Sequence, residues 1–302
     1  MKHHQLLAFV AVADHGSMHA AARALHLTQP AVTKALRDLE SELGTALLVR
    51  QSRGVTLNAE GVLLLARARV VVRELQRAKE DLNLVKGGRG GHLFIGVTPL
   101  AGLTIMPRAF ALFRQAWPEV TLDFIEYTSD QLYENLRNGQ LDFAVGAATG
   151  PQVDTPILWE DLLSLPTSLS VRRDSPLAHC RSLAELVQAE WIHTDMSGRF
   201  PQFLAELFSR QGLPCPHRIT RCTSQALFHS LAMQNDVVFF WSLLAIGMPE
   251  VRQRFIALPL CTDLPRLSMG LLVPEDSLLT RAGSYFVRCI REVAREEWAA
   301  LD

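Results

Sequence analysis

Cysteine is scarce in this 302-residue chain, which holds five: Cys180, Cys215, Cys222, Cys261 and Cys289. Their odd number and irregular spacing exclude a disulfide framework and predict reduced thiols in a cytoplasmic protein. Long hydrophobic runs are missing as well. The longest uncharged, mostly apolar stretch, Val237–Pro249, is too short to span a bilayer, so no membrane partner is expected. A leader-like start, with Lys2 before the run Leu6–Ala13, is at the short limit for a secretory signal. Leu6, Phe9, Val10 and Ala13 fit one face of an amphipathic helix instead. Catalytic signatures are absent: there is no Gly-x-Ser-x-Gly elbow, no HExxH and no Cys-x-x-Cys. His179-Cys180 and Cys215-Pro216-His217 place thiol and imidazole side by side only in sequence. No catalytic residue, metal or cofactor is expected.

Net charge is also nearly absent, at −1, but its distribution is uneven. Residues 1–89 hold 13 Lys/Arg against 8 Asp/Glu, and the remainder holds 17 against 23. A basic end on an acidic body predicts nucleic acid at one end only. That end contains Ala20–Leu43, which reads as two short helices joined by the turn His26-Leu27, steep enough for a helix-turn-helix. Val32, Leu36, Leu39 and Leu43 define a buried face on the second helix. Thr28 stands as its N-cap and Pro30 falls in its first turn. Gln29, Thr33, Lys34 and Arg37 are left on the outer face, where they can reach base edges or phosphates.

Two short strands follow, Leu47–Arg50 and Val55–Leu57, around a Gln51-Ser52-Arg53-Gly54 turn. Such a hairpin beside a recognition helix makes a wing whose Arg50 and Arg53 reach the DNA backbone. Ala59–Lys86 then contains no proline and predicts a helix of about 42 Å. Leu64, Ala68, Val71, Leu75, Ala78, Leu82 and Val85 step by four and three, the seam of a coiled coil, with Arg67, Arg73, Glu74, Arg77, Lys79 and Glu80 as charged flanks. Gly87-Gly88-Arg89-Gly90-Gly91 precedes a strand, so it reads as a hinge and not a phosphate loop.

From residue 92 strands and helices alternate, predicting two α/β units with a cleft between them and mainly parallel sheets. Ligands of parallel sheets sit beyond the carboxyl ends of the strands. Those ends here carry Thr98, Thr128 with Ser129, Thr149, Thr194, and Thr223 with Ser224. Hydroxyls that precede helices suit a small anion, with Met196, Phe200, Phe203 and Trp241 as apolar walls. The same hydroxyls also serve as ordinary helix caps.

The order Phe9…Gly16-Ser17…Ala21-Ala22…Leu25…Thr28-Gln29-Pro30-Ala31-Val32-Thr33…Leu36…Leu39-Glu40…Leu43-Gly44…Leu47…Arg50…Leu57…Gly61 closely resembles the LysR-type transcriptional regulators. Thr33, Leu48 and Asn58 depart from the usual Ser, Phe and Thr, and none removes the DNA-binding donors. The resemblance covers essentially the whole chain. It implies an α+α/β protein: a winged helix-turn-helix over residues 1–58, a dimerising linker helix over 59–86, a hinge over 87–91, and a two-subdomain effector domain like periplasmic binding proteins over 92–302. Subdomain I would take about 92–163 and 266–302, and subdomain II about 164–265, with crossings near 160–165 and 262–267. Ser17 and the residues around Thr28–Arg37 would hold double-stranded promoter DNA. The Thr98-Pro99-Leu100 loop, Thr128, Thr149, the segment from Thr194 through Met196 and Ser197 to Phe203, and Thr223 would hold a small anionic effector. Dimers would assemble to homotetramers. Two alternatives stand beside this reading: a redox regulator using Cys215 and Cys222, and a free-standing solute-binding protein.

Overall fold

The computed structural model describes residues 1–51, 54–85, 90–148, 156–196, 198–275 and 277–301. Arg53, Thr149, Ser197 and most of the 87–91 hinge lie outside the described residues. The chain opens with α1 (His3–His15), α2 (Met18–Ala24) and α3 (Gln29–Leu43), followed by β1 (Leu48–Gln51), β2 (Gly54–Leu57) and α4 (Ala59–Val85). Leu6, Phe9, Val12, Ala21, Ala22, Val32, Leu36 and Leu39 form one core among the three helices. The run Leu6–Ala13 is therefore a core helix of this unit. Leu43, expected in that core, is 37% exposed, and Ala35 is buried in its place. The reason is local: Gly44 takes a left-handed φ of 70° and ends α3 just as Leu43 would turn inward.

The hairpin is fastened by close backbone contacts. Val55 N–H donates to Gly16 O at 3.0 Å. A Cβ on Gly54, whose φ is 138°, would stand 2.7 Å from the same oxygen, so only glycine lets the strand approach. Asn58 links the hairpin to α4: its Nδ2 donates to Ala46 O and its Oδ1 accepts from Gly61 N–H, both at 2.8 Å.

The larger part begins with β3 (His92–Val97), α5 (Pro99–Leu103), α6 (Met106–Ala116), β4 (Thr121–Glu126), α7 (Ser129–Arg137), β5 (Phe143–Ala148) and β6 (Ile157–Leu165). It continues through β7 (Thr167–Arg172), β8 (Glu190–His193), α8 (Arg199–Ser209), β9 (Ile219–Arg221), α9 (Gln225–Gln234) and β10 (Val237–Ser242). It closes with α10 (Leu243–Gly247), α11 (Pro249–Arg252), β11 (Phe255–Ala257), β12 (Leu267–Pro274) and α12 (Arg281–Leu301). The strands make two sheets, β4-β3-β5-β12-β6 and β11-β7-β10-β8-β9. Both are mixed. Four strands of each run in one direction, and the single reversed strand, β12 in one sheet and β7 in the other, makes the antiparallel pairings. Antiparallel members arise because the chain passes directly from β6 into β7 at Pro166 and returns between β11 and β12. Each sheet has its own core, around Phe113, Phe143 and Phe286 in one lobe and Trp191, Phe208 and Val238 in the other.

A buried ion cluster ties α4 to the first lobe. Asp142, 2% exposed, accepts from Arg77 Nε at 2.9 Å and Nη2 at 2.6 Å, from Phe94 N–H at 2.7 Å, and from Arg73. Arg73 also lies 4.0 Å over the Phe94 ring, and Arg77 Nη1 reaches Ser277 Oγ at 2.8 Å. These two arginines are packing residues and not the solvated flanks their spacing predicts. The seam is likewise split. Ala68 is buried in the N-terminal core with Leu64 packed against it, while Val71, Leu75 and Leu82 are exposed at 44%, 42% and 60%.

Candidate functional site

The second helix of the N-terminal pair starts as its sequence demands. Thr28 is extended, its Oγ1 accepts from Ala31 N–H at 3.4 Å, and Pro30 sits in the first turn. His26, the one non-glycine residue with positive φ among those described, bends the chain between α2 and α3 at φ 55°. Ser17 caps α2 by accepting Ala20 N–H at 3.4 Å, so it is held at the head of the first helix of the motif. With Val32, Ala35, Leu36 and Leu39 buried, α3 turns Gln29, Pro30, Lys34 and Arg37 fully outward, with Thr33 half-exposed among them. One helix face thus offers an amide, a hydroxyl, an ammonium and a guanidinium, a set that can both read base edges and pair with phosphates. Arg50 belongs to β1, opposite Val55 in the hairpin register.

Between the two lobes lies a cleft of about 580 Å³. Thr98, Pro99, Leu100, Thr128, Thr194, Met196, Phe203 and Thr223 all border it, from both lobes. Their roles differ. Leu100 is 6% exposed and also belongs to the core of the first lobe. Thr128 is engaged in a capping box with Gln131, whose Oε1 accepts from Thr128 N–H at 3.1 Å and from its hydroxyl at 3.2 Å. Thr98 is different. It is 5% exposed, its N–H is held by Val145 O at 3.0 Å, and its Oγ1 is buried without a hydrogen-bond partner. A buried hydroxyl is satisfied in most proteins, so this one stands out among the threonines of the cleft wall.

Sequence reasoning missed the charged part of the lining. Glu126, Asp130, Asp195, Glu206, Arg199 and His193 all face the cleft. Asp130, Asp195, Arg199 and His193 each lie next to a residue already singled out, so for these the signal was present but was read only for hydroxyls. Glu126 ends β4, and Glu206 lies in the last turn of α8 with no such signal. Burial pushes the His193 ring below the ordinary value of 6.5, against Asp195 and with Arg221. It stays uncharged at neutral pH. The lining thus carries both signs of charge, and the helix start at Thr98, which borders it, has no side-chain cap. The aromatic strand residues divide: Phe239 is wholly buried, whereas Phe240 and Trp241 border the cleft.

The thiols do not converge on this site. Cys215 is exposed and Cys222 is buried among Ile192, Phe228 and Phe239. Cys222 Sγ donates to Ser224 O at 3.4 Å. Among the described residues no cluster of metal-ligating side chains occurs, and no helix is long and apolar enough to cross a membrane.

A winged helix-turn-helix carried by a long helix on a two-lobed cleft domain defines a DNA-binding regulator with a ligand-binding domain. Residues 3–62 match the model of the bacterial regulatory helix-turn-helix proteins of the lysR family, and residues 86–295 match the LysR substrate binding domain. The chain belongs to the LysR family of transcriptional regulators. Its sequence is 30% identical over 241 residues to the HTH-type transcriptional regulator GbpR of Azospirillum brasilense, covering 79% of this chain and 70% of that one. Its fold is similar to full-length OxyR from Pseudomonas aeruginosa, with a TM-score of 0.69 at 19% identity over 98% and 95% of the two chains. It is also similar to full-length CbnR complexed with its target DNA, with a TM-score of 0.65 at 23% identity over 97% and 100%.

Proposed function

We propose that this protein is a cytoplasmic regulator whose hold on promoter DNA is set by a small metabolite in the cleft between its lobes. The single observation that carries the ligand half is the 580 Å³ cleft bordered from both lobes by Thr98, Thr128, Thr194 and Thr223. Gln29, Thr33 and Arg37 would carry sequence choice, while Lys34, Arg50 and Arg53 would add salt-dependent phosphate contacts. The domains would divide at residues 58, 86 and 91 as the sequence predicts. Val71, Leu75, Ala78 and Leu82 leave an apolar face on α4, and pairing of two such faces would make the dimer. Two dimers on an inverted repeat would then place four heads on DNA. A ligand that favours one closure of the lobes would shift the spacing of those heads, provided that it binds the two arrangements unequally.

Thr98→Val and Thr128→Val test this. A metabolite that raises the melting temperature of the wild-type protein and alters its operator affinity should lose both effects in the Thr98 variant, with operator affinity itself unchanged. A normal response in both variants contradicts the assignment of the cleft.

A further inference from the structure

We propose that the cleft selects a small metabolite built on an aromatic ring, an inference that rests on the effector-binding reading above. One wall of the cleft is a run of rings. At its base the His193 imidazole is stacked on Phe200, with centroids 4.6 Å apart and planes at 14°. Phe200 meets Phe203 at 6.0 Å and 50°, and Phe203 meets Phe240 at 5.0 Å and 52°. All four rings border the cleft. The base is fixed: His193 and Phe200 are each 8% exposed, and Asp195 N–H donates to His193 Nδ1 at 3.1 Å. Phe203 and Phe240, at the other end, are only half-buried, so the run stops at the open cleft. Favourable aromatic pairs have centroids about 4.5–7 Å apart, and a further ring docked on Phe203 or Phe240 would extend the series.

The neighbouring groups suit the same occupant. Trp241, next to Phe240 at the carboxyl end of β10, is half-buried and borders the cleft. Phe228 and Phe239 hold its indole edge-on, at 6.5 and 5.9 Å. Tyr127 borders the cleft from the first lobe, and Met196, 47% exposed, borders it ahead of α8. A thioether makes favourable contacts with ring edges. Rings already wedged against one another lose little freedom when a ligand arrives. Apolar area alone does not single out an aromatic body. A cyclohexyl group buries at least as much apolar surface as a phenyl group, so the hydrophobic effect gives the phenyl no advantage. What the phenyl adds is a quadrupole that matches the faces and edges of the rings in this wall. Both signs of charge line the cleft, so the selection lies in the body of the ligand and not in its head group.

The test is calorimetric titration of the full chain with three matched pairs: benzoate and cyclohexanecarboxylate, benzylamine and cyclohexylmethylamine, benzyl alcohol and cyclohexylmethanol. In each head-group series that binds, the aromatic member should bind about three- to tenfold tighter. Its ring protons should shift upfield in NMR spectra of the complex with the wild-type protein, a readout that needs no variant. Phe203→Leu/Phe240→Leu should lose the preference while the cyclohexyl members bind as before. Equal or tighter binding of the cyclohexyl members, an absent upfield shift, or a preference that survives the double variant overturns the aromatic inference alone. Failure of all six compounds to bind overturns it as well. Ala148→Trp and Thr223→Trp crowd the cleft from either lobe, and each should abolish binding. Binding that survives both overturns the cleft reading on which the inference rests.

Discussion

Arg37 stands fully outward on α3 while its neighbour Leu36 is buried, so its side chain is available to DNA without any repacking. Arg37→Ala should weaken operator binding by about 1–3 kcal/mol if the guanidinium reads a guanine, with sequence preference relaxed at one position. Fluorescence anisotropy against operator variants separates this from a phosphate contact, which would weaken all sequences alike and lower the salt slope by about 1. Two histidines make a second prediction at this scale. Burial lowers His193 and His229 below the ordinary 6.5, and Arg254 adds to the effect at His229. The unfolded chain therefore binds more protons than the native one just below that value. Stability from these rings is complete above about pH 6.5 and falls as pH drops through and below it. Urea midpoints measured at about pH 7.5 and about pH 5.5 should show the fall, and His193→Gln should flatten it. An unchanged slope in that variant would mean that the ring is protonated in the folded protein. Hydroxyls at strand ends were legible in the sequence as a group, but not their division of labour. Whether a threonine caps a helix or stands partnerless depends on neighbours such as Gln131 and Val145, and only the fold brings these into reach.

Among the elements, α3 was the most legible, because its cap, its proline and its apolar spacing all act within one helix. By contrast, β6 was invisible to pattern. Its centre carries Glu160 and Asp161, which look like loop residues until Arg291 of α12 pairs with one and Ser268 of β12 and the Trp159 indole donate to the other. The role of Arg73 and Arg77 was hidden for a similar reason, since their partner Asp142 lies 69 and 65 residues away. That cluster is the rigid joint between the linker helix and the first lobe. Asp142→Asn removes the charge but keeps the shape, leaving the largely buried Arg73 guanidinium without its counter-ion and Arg77 with Glu74 alone. The expected loss is about 3 kcal/mol or more of stability, read from the denaturant midpoint. A loss of less than about 1 kcal/mol would show that water reaches these arginines freely.

At the scale of the molecule, the chain joins a DNA-reading head to a two-lobed receptor by one long helix, and both ends of that helix are fixed. Leu64 and Ala68 pack into the head, and Arg73 and Arg77 pack onto the lobe. The remaining apolar face predicts association. Leu75→Asp with Leu82→Asp should shift the protein to monomers in sedimentation velocity and reduce operator affinity steeply, and an unchanged mass would place the dimer contact elsewhere. Domain order and the two-lobed plan followed from the sequence pattern, whereas the mixed sheets did not. Strand direction depends on where the chain crosses between lobes, and those crossings, near 160–165 and 262–267, came from the family resemblance and not from any local signal at Pro166.

The outer face of α3 should read a specific DNA sequence. Selection from a pool of random duplexes by the purified full-length protein tests it most directly, run in parallel with a Gln29→Ala/Thr33→Ala/Arg37→Ala variant. The wild-type protein should enrich an inverted repeat with half-sites about one helical turn apart or a multiple of it, and the variant should lose that enrichment while keeping its fold. Enrichment of the same sequence by both proteins, or of no sequence by the wild type, would contradict the account.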